Sequence, residues 1–246
     1  MNGIWSEVKV AGKTVELYDP PARMKPRFGV LFLHPLGLET LRGRPAYTKI
    51  FDQLNMVCAC PFGGRSWWAD RVCAEFDPKL TPEQHLLNNV LPFFQERSHL
   101  GPRAIGLFGI SMGGQGALRL AFKYPQRFPA AAGISSALDY FELYGEGSPL
   151  DDMYDSKEQC RQDTAILHIH PSNQPPHLFF CVDPDDIAWY RGNDRLDEKL
   201  AALGVPHTVD LETQAGGHSW QYFDHMAEPA LRFLYEGLEK ESRRLI

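Results

Sequence analysis

The feature that most limits what this chain can fold into is a series of short apolar runs without alternation. GVLFLH (29–34), MVCACP (56–61), AIGLFGI (104–110), AAAGIS (130–135) and HLFFCVD (177–183) are unbroken by regularly spaced polar residues. Strands covered on both faces have this pattern, because neither side of the pleat meets water. HTVDLET (207–213) adds a last strand. Between the runs, PEQHLLNNVLPFFQER (82–97), GQGALRLAFKYP (114–125), RLDEKLAALG (195–204) and FDHMAEPALRFLYEGLEK (223–240) carry helical spacing. Buried strands alternating with amphipathic helices predict an α/β fold, a mainly parallel sheet with helices on both faces. Pro92 and Pro229 lie inside two of the helical runs, so a helix start or kink is expected near each.

At the N-terminal end the pattern changes. VKV and TVEL flank AGK, and their β-branched residues alternate, which predicts an antiparallel hairpin over 8–17 at one edge of the sheet. A chain of 246 residues can bury roughly 70–75% of its unfolded surface in one core. No repeat, low-complexity tract or linker divides it, so a single domain spanning 1–246 is expected. Residues 136–176, which include DDMYD and HPSNQPPH, lack clear periodicity. They read as a short insertion contributing to the rim of a site, in place of a large lid.

With 31 acidic and 25 basic residues the formal net charge is −6. Nothing in that balance attracts nucleic acid or an anionic membrane, which leaves a small molecule as the expected partner. The opening segment MNGIWSEVKVAGKTVEL shows neither a signal-peptide pattern nor a membrane span, and a cytoplasmic location is expected. No repeat or heptad announces an oligomeric interface. Cys58, Cys60, Cys73, Cys160 and Cys181 read as reduced structural thiols, with zinc the alternative; Cys58 and Cys60 are expected to face opposite sides of their strand.

In an open α/β sheet, ligands bind at the carboxyl ends of the strands, and those loops carry the chemistry-bearing residues. Gly109-Ile110-Ser111-Met112-Gly113 fits G-x-S-x-G between a buried strand and a helix, where the pattern marks an exposed nucleophile on a sharp turn. A plain tight turn is the bland alternative. A serine hydroxyl needs a base and an orienting acid, expected in the chain order Ser, acid, His. His218 in AGGHSW follows the last strand and is the candidate base. His168 and His170 in AILHIHP are rivals that suggest a metal pair, but no third ligand cluster accompanies them; surface or satisfied polar roles suit them better. His85, His99, His177, His207 and His225 read as structural. The acid is Asp183, Asp185 or Asp186 in VDPDDIAWYRGNDRL, and spacing does not choose.

An oxyanion hole needs one N–H from Met112 and one from the loop after the early strand. There, His34-Pro35-Leu36-Gly37 takes the place of the usual H-G-x-G, and Pro35 has no N–H, so Leu36 is the second donor. A third loop, CPFGGRSWWADRVC, offers Arg65, Trp67 and Trp68 as substrate-binding walls or as core.

With these loops placed, the sequence resembles the esterase D family of α/β-hydrolases, which includes S-formylglutathione hydrolases, feruloyl and acetylxylan esterases and the bacterial mycolyltransferases. LHPLG (33–37), PFGGRSWWADR (61–71), GISMGGQGALRLAFKYPQRF (109–128), AAAGISSALD (130–139) and GGHSWQYF (216–223) carry the resemblance. It implies the α/β-hydrolase fold, Ser111 as nucleophile, His218 as base, and Leu36 and Met112 N–H groups as oxyanion donors. It also implies a carboxylic-ester substrate and no metal or organic cofactor. In D183-P184-D185-D186-I187-A188-W189-Y190 the resemblance favours Asp186 as the acid, with Asp185 the runner-up. Acyl transfer or thioester cleavage would use the same residues, and a non-catalytic interaction module on this scaffold is the remaining reading. The lack of an export signal points away from a cell-wall mycolate role.

Overall fold

A computed structural model describes residues 3–21 and 24–244. Among the described residues, eight strands form one sheet in the order β1-β2-β4-β3-β5-β6-β7-β8. They are β1 (Ile4–Val10), β2 (Lys13–Asp19), β3 (Gly29–Leu33), β4 (Val57–Pro61), β5 (Ile105–Ile110), β6 (Ala130–Ile134), β7 (His177–Cys181) and β8 (Thr208–Asp210). β1 and β2 pair antiparallel, and β2 joins the sheet antiparallel to β4. From β4 to β8 every pairing is parallel. The hairpin therefore begins earlier than its apolar alternation announces, because the first residues of β1 form a half-exposed edge. The last strand is shorter than expected. The Asp210 carboxylate accepts the N–H groups of Glu212 and Thr213 and turns the chain out of the sheet.

The helices are α1 (Pro45–Leu54), α2 (Pro82–His85), α3 (Leu91–Ser98), α4 (Met112–Lys123), α5 (Leu150–Met153), α6 (Lys157–Gln162), α7 (Tyr190–Ala202), α8 (Trp220–His225) and α9 (Ala227–Ser242). Pro92 falls in the first turn of α3, and the chain between α2 and α3 widens into a π-helical turn over Leu86–Val90. A proline without an N–H breaks the regular ladder there. Pro229 lies in the first turn of α9, where no N–H is needed, and the chain breaks between α8 and α9 at Met226. The sequence pattern does not announce helix α1, although Tyr47, Ile50 and Phe51 form its buried stripe.

Alternate strand residues feed two cores, one on each face. Leu31, Leu33 and Leu107 pack with residues of α3, α4 and α7 on one side. Val30, Phe32 and Phe108 pack with α1, α8 and α9 on the other. Cys58 and Cys60 correct the expectation that they face opposite ways: both lie in the second core with their Sγ atoms 3.7 Å apart, since positions i and i+2 share a face. All five cysteines are buried and unbridged. No helix among the described residues is long and apolar enough to cross a membrane.

The segment 136–176 folds as short turns around α5 and α6, with 3₁₀ turns at Tyr140–Leu143 and Ala165–Leu167. A buried ion network ties it down. Arg119 of α4 is 1% exposed and grips both Glu83 of α2 and Asp163 just after α6. Tyr154 and His168 add hydrogen bonds to the Asp163 carboxylate, at 2.8 and 3.1 Å.

Candidate active site

β5 occupies the middle of the sheet, between β3 and β6, and its carboxyl end delivers Ser111. Ser111 has φ 56 and ψ −117, a conformation that costs a non-glycine residue on the order of 1–3 kcal/mol. Its neighbours hold it there: the Ser111 N–H donates to Ile134 O at 2.9 Å, and its carbonyl accepts Gln115 N and Ala137 N at 3.1 and 3.0 Å. The turn can be this sharp only because two glycines flank it. A Cβ on Gly109 would overlap the Gly113 carbonyl, and one on Gly113 would overlap the carbonyl oxygen of Leu33. α4 thus starts hard against the ends of β5 and β3, with its free N–H groups around the serine.

The histidine loop comes from beyond β8. His218 Nε2 stands 3.0 Å from Ser111 Oγ, and His218 Nδ1 stands 2.7 Å from Asp186 Oδ2. Asp186 is 2% exposed. Its other oxygen accepts the Trp189 N–H at 3.3 Å, and its own N–H donates to Asp183 O. The carboxylate on Nδ1 selects the tautomer that leaves Nε2 free to accept the serine proton. Phe223 meets the imidazole edge-on at 5.2 Å between centroids, and Trp189 lies tilted at 6.5 Å. Of the three aspartates that spacing left open, Asp186 faces the ring, Asp185 is exposed, and Asp183 is fully buried and bound to backbone. Burial pushes the Asp183 carboxyl up, but N–H groups of Ala215, Asp185, Gly217 and Gly216 outweigh it and hold it below the ordinary carboxylate range.

The loop after β3 is fixed by His34, a residue whose role the sequence did not announce. Its Nε2 accepts the Gly63 N–H at 3.0 Å, which places the proton on Nδ1 to donate to Pro35 O at 2.8 Å. Burial lowers the His34 pKa to about 4, so the ring stays neutral near pH 7. Pro35 O also accepts the Leu38 N–H at 3.0 Å. That carbonyl shares a peptide plane with the Leu36 N–H, so two donors on one edge fix the direction of the N–H on the other. Neither the Leu36 nor the Met112 N–H donates to a backbone carbonyl among the described residues.

The third loop corrects the reading of Trp67 and Trp68 as substrate walls. Each is 1% exposed, with φ of 55 and 53, and both belong to the core beneath the site. Trp67 stacks on Tyr140 at 4.8 Å, and its carbonyl takes a hydrogen bond from the Gln115 amide. The Trp68 indole N–H donates to His34 O at 3.2 Å, and its side chain fills the space a Cβ on Gly116 would need. A tryptophan pair in a glycine-rich loop gives the same sequence signal for either role; burial decides. The Arg65 guanidinium is held by Glu75 through Nε at 2.9 Å and through Nη2. His168 pairs with Asp163, while His170 contacts Ser172 Oγ at 3.2 Å. The two rivals of His218 are thus occupied apart from each other.

Comparison with known proteins bears on this arrangement. The chain is 29% identical over 218 residues to the diacylglycerol acyltransferase/mycolyltransferase Ag85A of Mycobacterium tuberculosis, covering 73% of this chain and 63% of that protein. The chain therefore spans less than two thirds of the length of the curated relatives it matches. The fluorophosphonate-binding serine hydrolase FphF of Staphylococcus aureus superposes with a TM-score of 0.79 at 15% identity, over 96% of this chain and 99% of that one. An S-formylglutathione hydrolase of Agrobacterium tumefaciens gives 0.77 at 17% identity, over 96% and 94%. These two likenesses show the shared fold. A family model described as "Putative esterase" matches residues 59–234, from within β4 to within α9, and so takes in Ser111, Asp186 and His218. By that match the chain belongs to this esterase family.

Proposed function

We propose that the protein cleaves carboxylic esters of small molecules through an acyl-enzyme on Ser111. The observation that carries this reading is the hydrogen-bonded series from Ser111 Oγ through His218 to Asp186, on a strained turn at the start of a helix. Ser111 Oγ attacks the ester carbonyl while His218 Nε2 takes its proton. Asp186, on Nδ1, stabilises the imidazolium that forms. The carbonyl oxygen becomes an oxyanion facing the N–H groups of Leu36 and Met112. His218 returns the proton to the departing alcohol, and a water activated by the same ring releases the acid. None of these steps calls for a metal or organic cofactor.

Hydrolysis of p-nitrophenyl acetate and covalent labelling by a fluorophosphonate test the proposal together. Ser111→Ala is expected to abolish labelling and to lower kcat by about 10⁶-fold, as removal of a triad serine does. Near wild-type turnover in this variant would refute the reading. The mycolyltransferase relative favours a second one, in which an alcohol other than water accepts the acyl group. Product analysis with competing alcohols separates them: a new ester identifies transfer, and free acid alone identifies hydrolysis.

A further inference from the structure

The site holds a second buried carboxylate that the ester-cleavage steps leave unused. Asp183 is fully buried at the end of β7, and three backbone N–H groups from two loops converge on it. Oδ1 accepts Asp185 N at 2.8 Å; Oδ2 accepts Ala215 N and Gly217 N at 2.7 and 2.9 Å. The last two belong to the segment that leads directly into His218. Gly216 and Gly217 have φ of 109 and 65, a backbone that glycine adopts without strain, and with it the N–H groups of Ala215 and Gly217 meet on one carboxylate oxygen. The Asp183 carbonyl meanwhile accepts the N–H of Asp186 at 2.9 Å. One residue thus fastens the acid with its backbone and the base with its side chain.

We infer that Asp183 is a positioning residue for the imidazole, setting through the Ala215–Gly217 backbone where His218 stands between Asp186 and Ser111. This inference rests on the serine-esterase reading above. His218 is brought in from far along the chain, on a loop separated from Asp186 by 32 residues and from Ser111 by 107. Among the described residues its ring has side-chain hydrogen-bond partners only in the triad, so its register depends on how the loop backbone is held. A carboxylate satisfies N–H donors on both oxygens. An asparagine of the same shape has one acceptor, and its NH₂ group must face either Asp185 N or the Ala215 and Gly217 pair. The loop then shifts, and a misplacement of about 1 Å lowers turnover by about 10²-fold.

The test is the time course of fluorophosphonate labelling of Asp183→Asn beside the wild type. Full final labelling at a rate constant about 10²-fold lower, with the KM for p-nitrophenyl acetate hydrolysis by the same variant little changed, is the expected result. A wild-type rate constant overturns the assignment. So does a reduced final extent at the wild-type rate, which reports misfolded molecules and no displaced base. Should Asp183→Asn fail to fold, Gly217→Ala keeps the carboxylate but forces a Cβ onto a left-handed residue 3.3 Å from Asp185 O. Slow and complete labelling of that variant supports the assignment, and wild-type labelling overturns it. Ser111→Ala in parallel separates the two levels. Persistent labelling there removes the serine-esterase reading and the inference with it; a silent Ser111→Ala beside a fast Asp183→Asn removes the inference alone.

Discussion

His34 shows how much one ring can fix. It is completely buried, accepts one N–H and donates to one carbonyl, and the bond it accepts from Gly63 needs the neutral form. The pH consequence follows from proton counting. Unfolded, the ring titrates near 6.5; folded, near 4. Between those values the unfolded chain binds a proton that the folded chain refuses, so stability rises with pH across that window. The contribution is fully present above 6.5 and lost progressively toward 4, in all about 3 kcal/mol. Urea midpoints measured from pH 4 to 7 are expected to climb more steeply for the wild type than for His34→Gln. Equal slopes would show that the ring does not titrate as a buried base. At this scale the sequence was informative wherever a motif had a spacing: Ser111, His218 and a choice of three aspartates could be read from it. Selecting among Asp183, Asp185 and Asp186 needed burial and direction, which neighbouring positions in one loop do not encode. His34 and Asp183 were legible as residues of the right loops, but their partners Gly63, Ala215 and Gly217 are distant in sequence.

Among elements, α4 carries two tasks at opposite ends. Its first turn crowds Ser111 and β3, while Arg119 on its far half anchors the segment 136–176 through Asp163 and helix α2 through Glu83. Glu83 also holds Lys123 and Tyr124, so one guanidinium stands at the centre of a network with little access to water. Arg119→Leu leaves two carboxylates without their buried counter-charge and is expected to destabilise the fold by about 3–5 kcal/mol. Arg119→Lys should recover only part of this, because one ammonium nitrogen replaces the three guanidinium nitrogens that reach Glu83 and Asp163 separately. Chemical denaturation of the two variants checks both statements, and a loss below about 1 kcal/mol for Arg119→Leu would contradict them. The buried strands were legible because a short apolar run without alternation suits few places in a fold besides a strand covered on both faces. The tryptophan loop was not, since an indole is equally suited to a pocket wall and to a core. Trp67 and Trp68 became distinguishable only once Gly116, Gln115 and Tyr140 were seen around them.

For the molecule as a whole, two cores lie on the two faces of one sheet, and the loops of the site rest on the buried side chains beneath them. Trp67→Ala is expected to cost about 3–5 kcal/mol and lower Tm by roughly 6–20 °C, while KM for a small ester stays unchanged because the indole is 1% exposed. A variant with wild-type Tm and a raised KM would return Trp67 to the pocket wall. Fold class and strand order of appearance were legible at this scale; the spatial order was less so, because β4 lies outside β3 and the hairpin joins through β2. That order has a kinetic consequence. Ser111 and His218 are 107 residues apart, and the parallel pairings that bring their loops together close long stretches of chain before any contact rewards them. Local helices and the hairpin can form early, but Ser111 and His218 meet only after β5, β6, β7 and β8 have aligned. Their contact is therefore a late clock for refolding of this chain, expected to run behind helical ellipticity and to report the moment at which the whole sheet is in register.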